Sequence, residues 1–275
     1  MSQRYFEHPS LTAAYAKFRP EPPASLVSHI LEYLHQGYDG PLEAAADVGC
    51  GSGQSTHVLA PHFNTVTGLD ISPAQITEAV KLGKTSSVSF RVSGAESLPF
   101  PDNSLQLVMA GQACHWFDMP KFLKEVDRVL VPGGVVALYC YLLPRVVDPH
   151  LGERLSAMIS EVYDDLLAGC WGEGVKDVND CYRDPKFTIP YPDSSRDDSH
   201  SLMTELSVAE LTLFMTTWSG FNTYRERNGE AAAQKLLDDF QKKVMTTLGV
   251  STPPENTRLQ LDTHFPLLMG RKPRI

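Results

Sequence analysis

The sequence predicts an α/β fold: a mostly parallel sheet with helices on both faces and a helical insert acting as a lid. Three observations predict it. Short apolar runs alternate with helical patterns over residues 23–141, as right-handed crossovers between parallel strands require. A glycine-rich turn closes the first apolar run. Over residues 142–250 the alternation loosens and longer helical patterns take over.

After the Pro22-Pro23 punctuation, residues 24–37 place Leu26, Ile30 and Leu34 at helical spacing. Residues 44–48 are an apolar run ending at glycines, which suits a buried strand; 55–61 open a helix and 65–69 read as the next strand. Ser72 is a candidate N-cap with Pro73 at the first helical position, starting a helix through Leu82. Residues 88–92 alternate, 105–110 form another buried run, 120–130 a helix, and 135–141 a strand after Pro132-Gly133-Gly134. Beyond them, 151–167, 207–218 and 230–248 read as helices, the second with Ser207 capping and Glu210 at its third position. Residues 169–198 are rich in Gly, Pro, Asp and Ser, and 259–269 supply the final strand or hairpin. One domain results: 1–22 an N-terminal lid, 23–141 the cofactor-binding core, 142–250 helical insertions over the active edge, and 251–275 the final strand or hairpin.

Composition narrows the function classes. The 275 residues are 42% hydrophobic and 21% charged, ordinary for a globular protein. A net charge of -9, from 24 basic and 33 acidic residues, argues against a nucleic-acid partner. The longest basic cluster is Arg271-Lys272 with Arg274. No apolar segment is long enough to span a bilayer, and Met1 to Pro9 is polar, so neither a membrane nor a signal peptide is expected. Five cysteines without a CxxC pair predict reduced thiols in the cytoplasm and neither a disulfide framework nor a zinc site. No metal is expected, and the assembly is expected to be a monomer or weak dimer.

The strongest motif is Asp47-Val48-Gly49-Cys50-Gly51-Ser52-Gly53, at the end of the first strand. Glycines let the backbone turn tightly and approach a ligand, and the next helix offers its unpaired N–H groups. A dinucleotide fingerprint needs its third glycine where Gln54 stands. The G-x-G-x-G spacing, with Asp47 two residues before Gly49, suits S-adenosylmethionine instead: an acid there faces the ammonium of a methionine moiety and would repel a pyrophosphate. Asp70 ends the second strand, where a carboxylate meets ribose hydroxyls, and Ile71 would pack on the adenine. Ala95 and Glu96 follow the third strand and border the adenine, unless that loop is only anchored in the core by Leu98 and Phe100. Gly111-Gln112-Ala113-Cys114-His115-Trp116-Phe117 follows the fourth. Aromatic faces there attract a sulfonium methyl, or else pack in the core. His115 is either a catalytic group or a structural histidine.

These stretches resemble the class I S-adenosylmethionine-dependent methyltransferases and, within them, are similar to the trans-aconitate methyltransferases. The likeness rests on Asp47 to Gly53, Leu69 to Ser72, the "AESLPF" of Ala95 to Phe100 and the "CHWFD" of Cys114 to Asp118; Tyr15 to Pro20 and Thr217-Trp218-Ser219 add the subgroup. The resemblance implies a Rossmann-like, mostly parallel seven-stranded sheet. It also implies that Asp47, Gly49, Gly51 and Gly53 hold the methionine end, Asp70 the ribose, and Ala95 and Glu96 the adenine. Gly111 and Gln112 would line the sulfonium side, and Tyr15 and Arg19 would belong to the lid. One departure is Gly94, where many relatives carry an acid that reaches the adenine amino group.

The expected reaction is methyl transfer to a small molecule, with a carboxylate as acceptor and S-adenosylhomocysteine as product. Arg19, His115, Trp116 and Trp218 are the acceptor-side candidates. In-line displacement needs alignment more than acid–base chemistry, and a carboxylate is ionised at pH 7; His115 becomes a base only for a phenol or amine. The alternatives are a protein or RNA acceptor and a non-catalytic S-adenosylmethionine-binding protein.

Overall fold

The computed structural model describes residues 18–81 and 85–274. Tyr15 and Leu82 lie outside the described residues. The chain forms α1 (Ala24–Gly37), β1 (Ala44–Val48), α2 (Gln54–Leu59), β2 (Thr65–Asp70), α3 (Pro73–Lys81), β3 (Val88–Val92) and β4 (Leu105–Gly111). It continues with α4 (Met119–Val129), β5 (Leu130–Tyr139), β6 (Arg145–Val146), α5 (Gly152–Ser160), α6 (Val175–Asn179), β7 (Asp193–Asp197) and β8 (Ser201–Ser207). The last elements are α7 (Val208–Met215), α8 (Ser219–Asn228), α9 (Glu230–Leu248), β9 (Arg258–His264) and β10 (Leu267–Arg271).

Seven strands form the main sheet in the order β3-β2-β1-β4-β5-β10-β7. The first five are mutually parallel, and β10 runs antiparallel between β5 and β7. This is the Rossmann-like seven-stranded sheet the motifs imply. Its central strands β1, β4 and β5 are buried along most of their length because helices cover both faces. On one face Leu26, Ile30 and Leu34 of α1 pack with Val66, Leu107 and Val135. On the other, Phe122 and Val126 of α4 pack with Val108 and Val136. The register pairs Val48 with Leu69, Asp70 with Val92 and Gly111 with Tyr139. All the loops that carry the motifs therefore leave one carboxyl edge, where such sheets bind ligands.

Above that edge sits a second layer with its own core, which runs from Val146 through Leu155, Leu211, Trp218 and Phe240 to Leu261. Helices α5, α7, α8 and α9 pack there on a small antiparallel sheet ordered β6-β9-β8. Residues 142–250 are thus not helical alone: β6 and β8 belong to the small sheet and β7 to the edge of the main one. Helix α7 starts with the expected capping box between Ser207 and Glu210. The C-terminal segment is two strands in different sheets, not a hairpin, because Pro266 between them has no N–H to continue a ladder. Strand β5 already begins at Leu130, with Pro132-Gly133-Gly134 inside it, and the β4–β5 register shifts between Leu105 and Leu107. Among the described residues, no helix is long and apolar enough to cross a membrane.

Candidate active site

The turn after β1 needs its glycines. Gly49, Gly51 and Gly53 have φ of 73°, 54° and 90°, where a side chain is strained. A Cβ on Gly49 would lie 2.4 Å from that of Ala113, and one on Gly111 would lie 2.2 Å from the Tyr139 ring. Gly53 stands apart from the cavity. It begins α2, and a Cβ there would meet the Phe90 ring at 2.7 Å, so its bareness brings helix and sheet together. The turn and the ends of β4 and β5 enclose a cavity lined by Gly49, Gly51, Ser55, Gly111, Gln112 and Tyr139, closed over by Arg19, Pro20 and Pro22.

Two carboxylates lie under it. Asp47 is fully buried. Its Oδ2 accepts from Ser55 Oγ at 2.6 Å and Thr56 Oγ1 at 2.7 Å, fixing the start of α2, while Oδ1 has no hydrogen-bond partner among the described residues. Burial, aided by the charge of Asp70, pushes its carboxyl up to about 6. Asp70 accepts from the Gly51 amide at 2.9 Å and the Ser72 amide at 2.8 Å. Burial raises it too, against the lowering effect of those amides. Beside it Ile71 is exposed, as is Val92 at the end of β3, giving an apolar ledge on the carboxyl edge. Ala95 is buried, and the Glu96 side chain accepts from the Asp118 amide at 3.0 Å, bracing the loop after β4.

The residues present fit S-adenosylmethionine. Bare glycines leave backbone room for the methionine end, and two adjacent buried carboxylates that repel each other are relieved by a cationic ligand. Bound there, it would supply a methyl group on a positively charged sulfur.

A second cavity, enclosing about 80 Å³, adjoins the first through Arg19, Gln112 and Tyr141, which line both. Its other walls include His115, Trp116, Tyr163, Trp171, Phe214 and Trp218. Arg19 is anchored by Nη1 donating to Tyr141 Oη at 2.6 Å and Nη2 donating to the Thr217 carbonyl at 2.7 Å. Gln112 has φ of 53°, a strained conformation that sites retain for a purpose. Its Oε1 accepts from the Tyr141 amide at 2.8 Å, which makes the other end of the side chain an NH2 donor.

The Tyr182 hydroxyl lies 3.0 Å from His115 Nδ1, and the two share a hydrogen bond. Burial first, then the charges of Arg19 and Lys186, push the imidazole down to about 3. His115 is therefore neutral on the cavity wall.

The structure thus gathers Gly49, Gly51, Gly111 and Gln112 at one cavity and His115, Trp116 and Trp218 at the next, with Arg19 between them. Sequence reasoning missed Tyr139, Tyr141, Tyr163, Trp171 and Phe214. Only Tyr139 and Tyr141 had a signal, their place at the end of β5.

The fold and the glycine turn define a nucleoside-binding α/β protein. Residues 46–138 match the family described as Methyltransferase domain. The chain is similar to a candidate methyltransferase of Dictyostelium discoideum, 28% identical over 260 residues, or 94% of this chain and 92% of the relative. A candidate type II methyltransferase from Anaeromyxobacter dehalogenans, of solved structure, is 30% identical with a TM-score of 0.72, over 94% of this chain and 100% of its own. The 2-methyl-6-phytyl-1,4-hydroquinone methyltransferase of Synechocystis is 39% identical over 101 residues, 36% of this chain and 32% of its own length. The protein belongs to the class I S-adenosylmethionine-dependent methyltransferases and is an enzyme whose methyl donor is S-adenosylmethionine.

Asp70→Ala is expected to weaken S-adenosylmethionine binding by about 1–3 kcal/mol, the cost of leaving polar partners unpaired. Calorimetric titration measures this, and an unchanged Kd would place the ribose on another residue.

Proposed function

We propose that the enzyme methylates a carboxylate oxygen of a small-molecule acceptor bound in the cavity of Arg19, His115 and Trp218. The observation that carries this is the lining itself. Beside the methyl-donor cavity lie one guanidinium, the neutral His115 imidazole and the Gln112 amide, and among the described residues the lining contains neither Asp nor Glu. An anion is the ligand such a wall favours, since charge-assisted hydrogen bonds are the stronger ones. The enclosure by aromatic rings favours a small planar molecule.

On this reading Arg19 and His115 hold the acceptor and Gln112 orients the attacking oxygen toward the methyl carbon. Trp116 and Trp218 help exclude water. The rate comes from alignment of oxygen, carbon and sulfur. No base is needed, and the buried His115 imidazole, whose proton affinity is pushed down, is a weak one. The donor cavity is assigned to Asp47, Gly49 and Gly51 for the methionine end, Asp70 for the ribose, and Ile71, Ala95 and Glu96 around the adenine.

A pH profile at saturating methyl donor tests this. The transfer rate is expected to be level between about pH 6.5 and 9, because a carboxylate acceptor is ionised throughout. A rise of about tenfold per pH unit over that range would indicate a phenol or amine losing its proton, and would overturn the carboxylate assignment.

A further inference from the structure

We propose that His29, Asp197 and His200 form a binding site for a divalent transition metal of the zinc class, separate from the methyl-transfer site. His29 lies on α1, Asp197 ends β7 and His200 lies in the loop that leads to β8. Three potential ligand atoms converge. His29 Nδ1 is 3.0 Å from His200 Nε2 and 3.2 Å from Asp197 Oδ2, and His200 Nε2 is 3.4 Å from the same oxygen. A tetrahedral zinc with ligands at about 2.0–2.1 Å separates them from one another by about 3.3 Å. The triangle already has the dimensions the ion would impose.

Two of the three ligand atoms are also aimed from behind. His200 Nδ1 is 3.4 Å from Ser25 Oγ, an outer partner that turns Nε2 toward the centre. Asp197 Oδ1 accepts from the Ser199 amide at 2.8 Å, which leaves Oδ2 for the centre. A cation satisfies all three atoms at once. The His200 side chain is 8% exposed, whereas those of His29 and Asp197 are 33% and 25% exposed. The site is therefore closed toward the protein and open on one side for a fourth ligand, water.

The metal would tie α1 to the edge strand at the level of the active edge. Asp197 pairs in register with Leu267, and Leu267 with Tyr139, which lines the methyl-donor cavity. The chain entering α1 supplies Arg19, Pro20 and Pro22 to that cavity, so the tie would hold its cover in place.

The test is calorimetric titration of the full-length, chelator-stripped protein with Zn(II), with Co(II) absorption as a second readout. One equivalent is expected to bind with micromolar or tighter Kd, and Co(II) is expected to give the intense visible bands of a four-coordinate ion. His29→Ala and Asp197→Asn are each expected to weaken Zn(II) at least about tenfold with circular dichroism and S-adenosylmethionine affinity retained. His29 is a helix-surface residue, so that variant keeps the test valid if Asp197→Asn fails to fold. Absence of a stoichiometric Zn(II) site overturns the proposal. So does wild-type affinity in folded His29→Ala, or a thiolate-to-Co(II) charge-transfer band, which would put the metal on cysteine.

Discussion

Asp47→Asn is expected to melt at a higher temperature than the parent protein and to bind S-adenosylmethionine more weakly. The parent carboxylate is fully buried, with one oxygen unpartnered among the described residues and the charge of Asp70 nearby. Its value is 3.8 in the unfolded chain and about 6 in the fold. The native state therefore binds the proton more tightly. The resulting cost is absent below pH 3.8, grows between 3.8 and 6, and is complete above about 6. At about 1.4 kcal/mol per pKa step, ionised Asp47 costs the fold about 3 kcal/mol at neutral pH.

Asparagine keeps the shape and removes the charge, but weakens the bonds from Ser55 and Thr56. A net gain of about 1–2 kcal/mol is expected, or about 2–8 °C in Tm for a chain of this size. The cationic donor supplies what the fold lacks, so its affinity in the parent should fall as the pH drops below about 6 and Asp47 takes up a proton. In the variant the affinity should be lower by about tenfold and insensitive to pH over that range. Thermal melts and calorimetry at pH 5 and 7.5 measure both effects. A lower Tm with unchanged affinity would make Asp47 only an anchor for the start of α2.

The second large effect is expected at Arg19. Its guanidinium lies between the donor and acceptor cavities, held by the Tyr141 hydroxyl and the Thr217 carbonyl. Arg19→Gln removes the one charged side chain among the described residues of the proposed acceptor lining while keeping part of the stem that packs near Phe214. Losing a charge-assisted contact of about 1.5–3 kcal/mol raises the acceptor KM by about 10- to 150-fold. The Kd for S-adenosylmethionine should change by less than about threefold, since a cation is not what holds a cationic donor. Initial-rate kinetics and donor titration separate the two. The reverse pattern, donor affinity lost and acceptor KM unchanged, would move Arg19 to the donor's cover.

The part of the fold that the sequence made legible is the part whose signal is local. Helix α1 spans the residues its apolar spacing marked, Ser207 and Glu210 cap α7, and Gly49 to Gly53 turn where the glycines lie. The unread parts depend on contacts between distant segments. Strand β7, Asp193–Asp197, contains no apolar residue, because as an edge strand it is held by backbone pairing to β10. The acceptor cavity is assembled from Arg19, His115, Tyr141, Trp171 and Trp218, on five separate segments. His29 and His200 carried no spacing signal because the fold alone brings their rings together. His115 was legible as a site residue, but its hydrogen-bond partner is Tyr182, which no local pattern connects to it.

Methyl transfer from S-adenosylmethionine to a carboxylate leaves a bond whose chemistry distinguishes it from every other acceptor. Small carboxylic acids are incubated with the enzyme and methyl-labelled donor, and the labelled product is treated with mild base. A methyl ester is expected, so the label is released as volatile methanol and the acceptor is recovered as its free acid. Label that survives base on nitrogen, carbon or an aryl oxygen would contradict it.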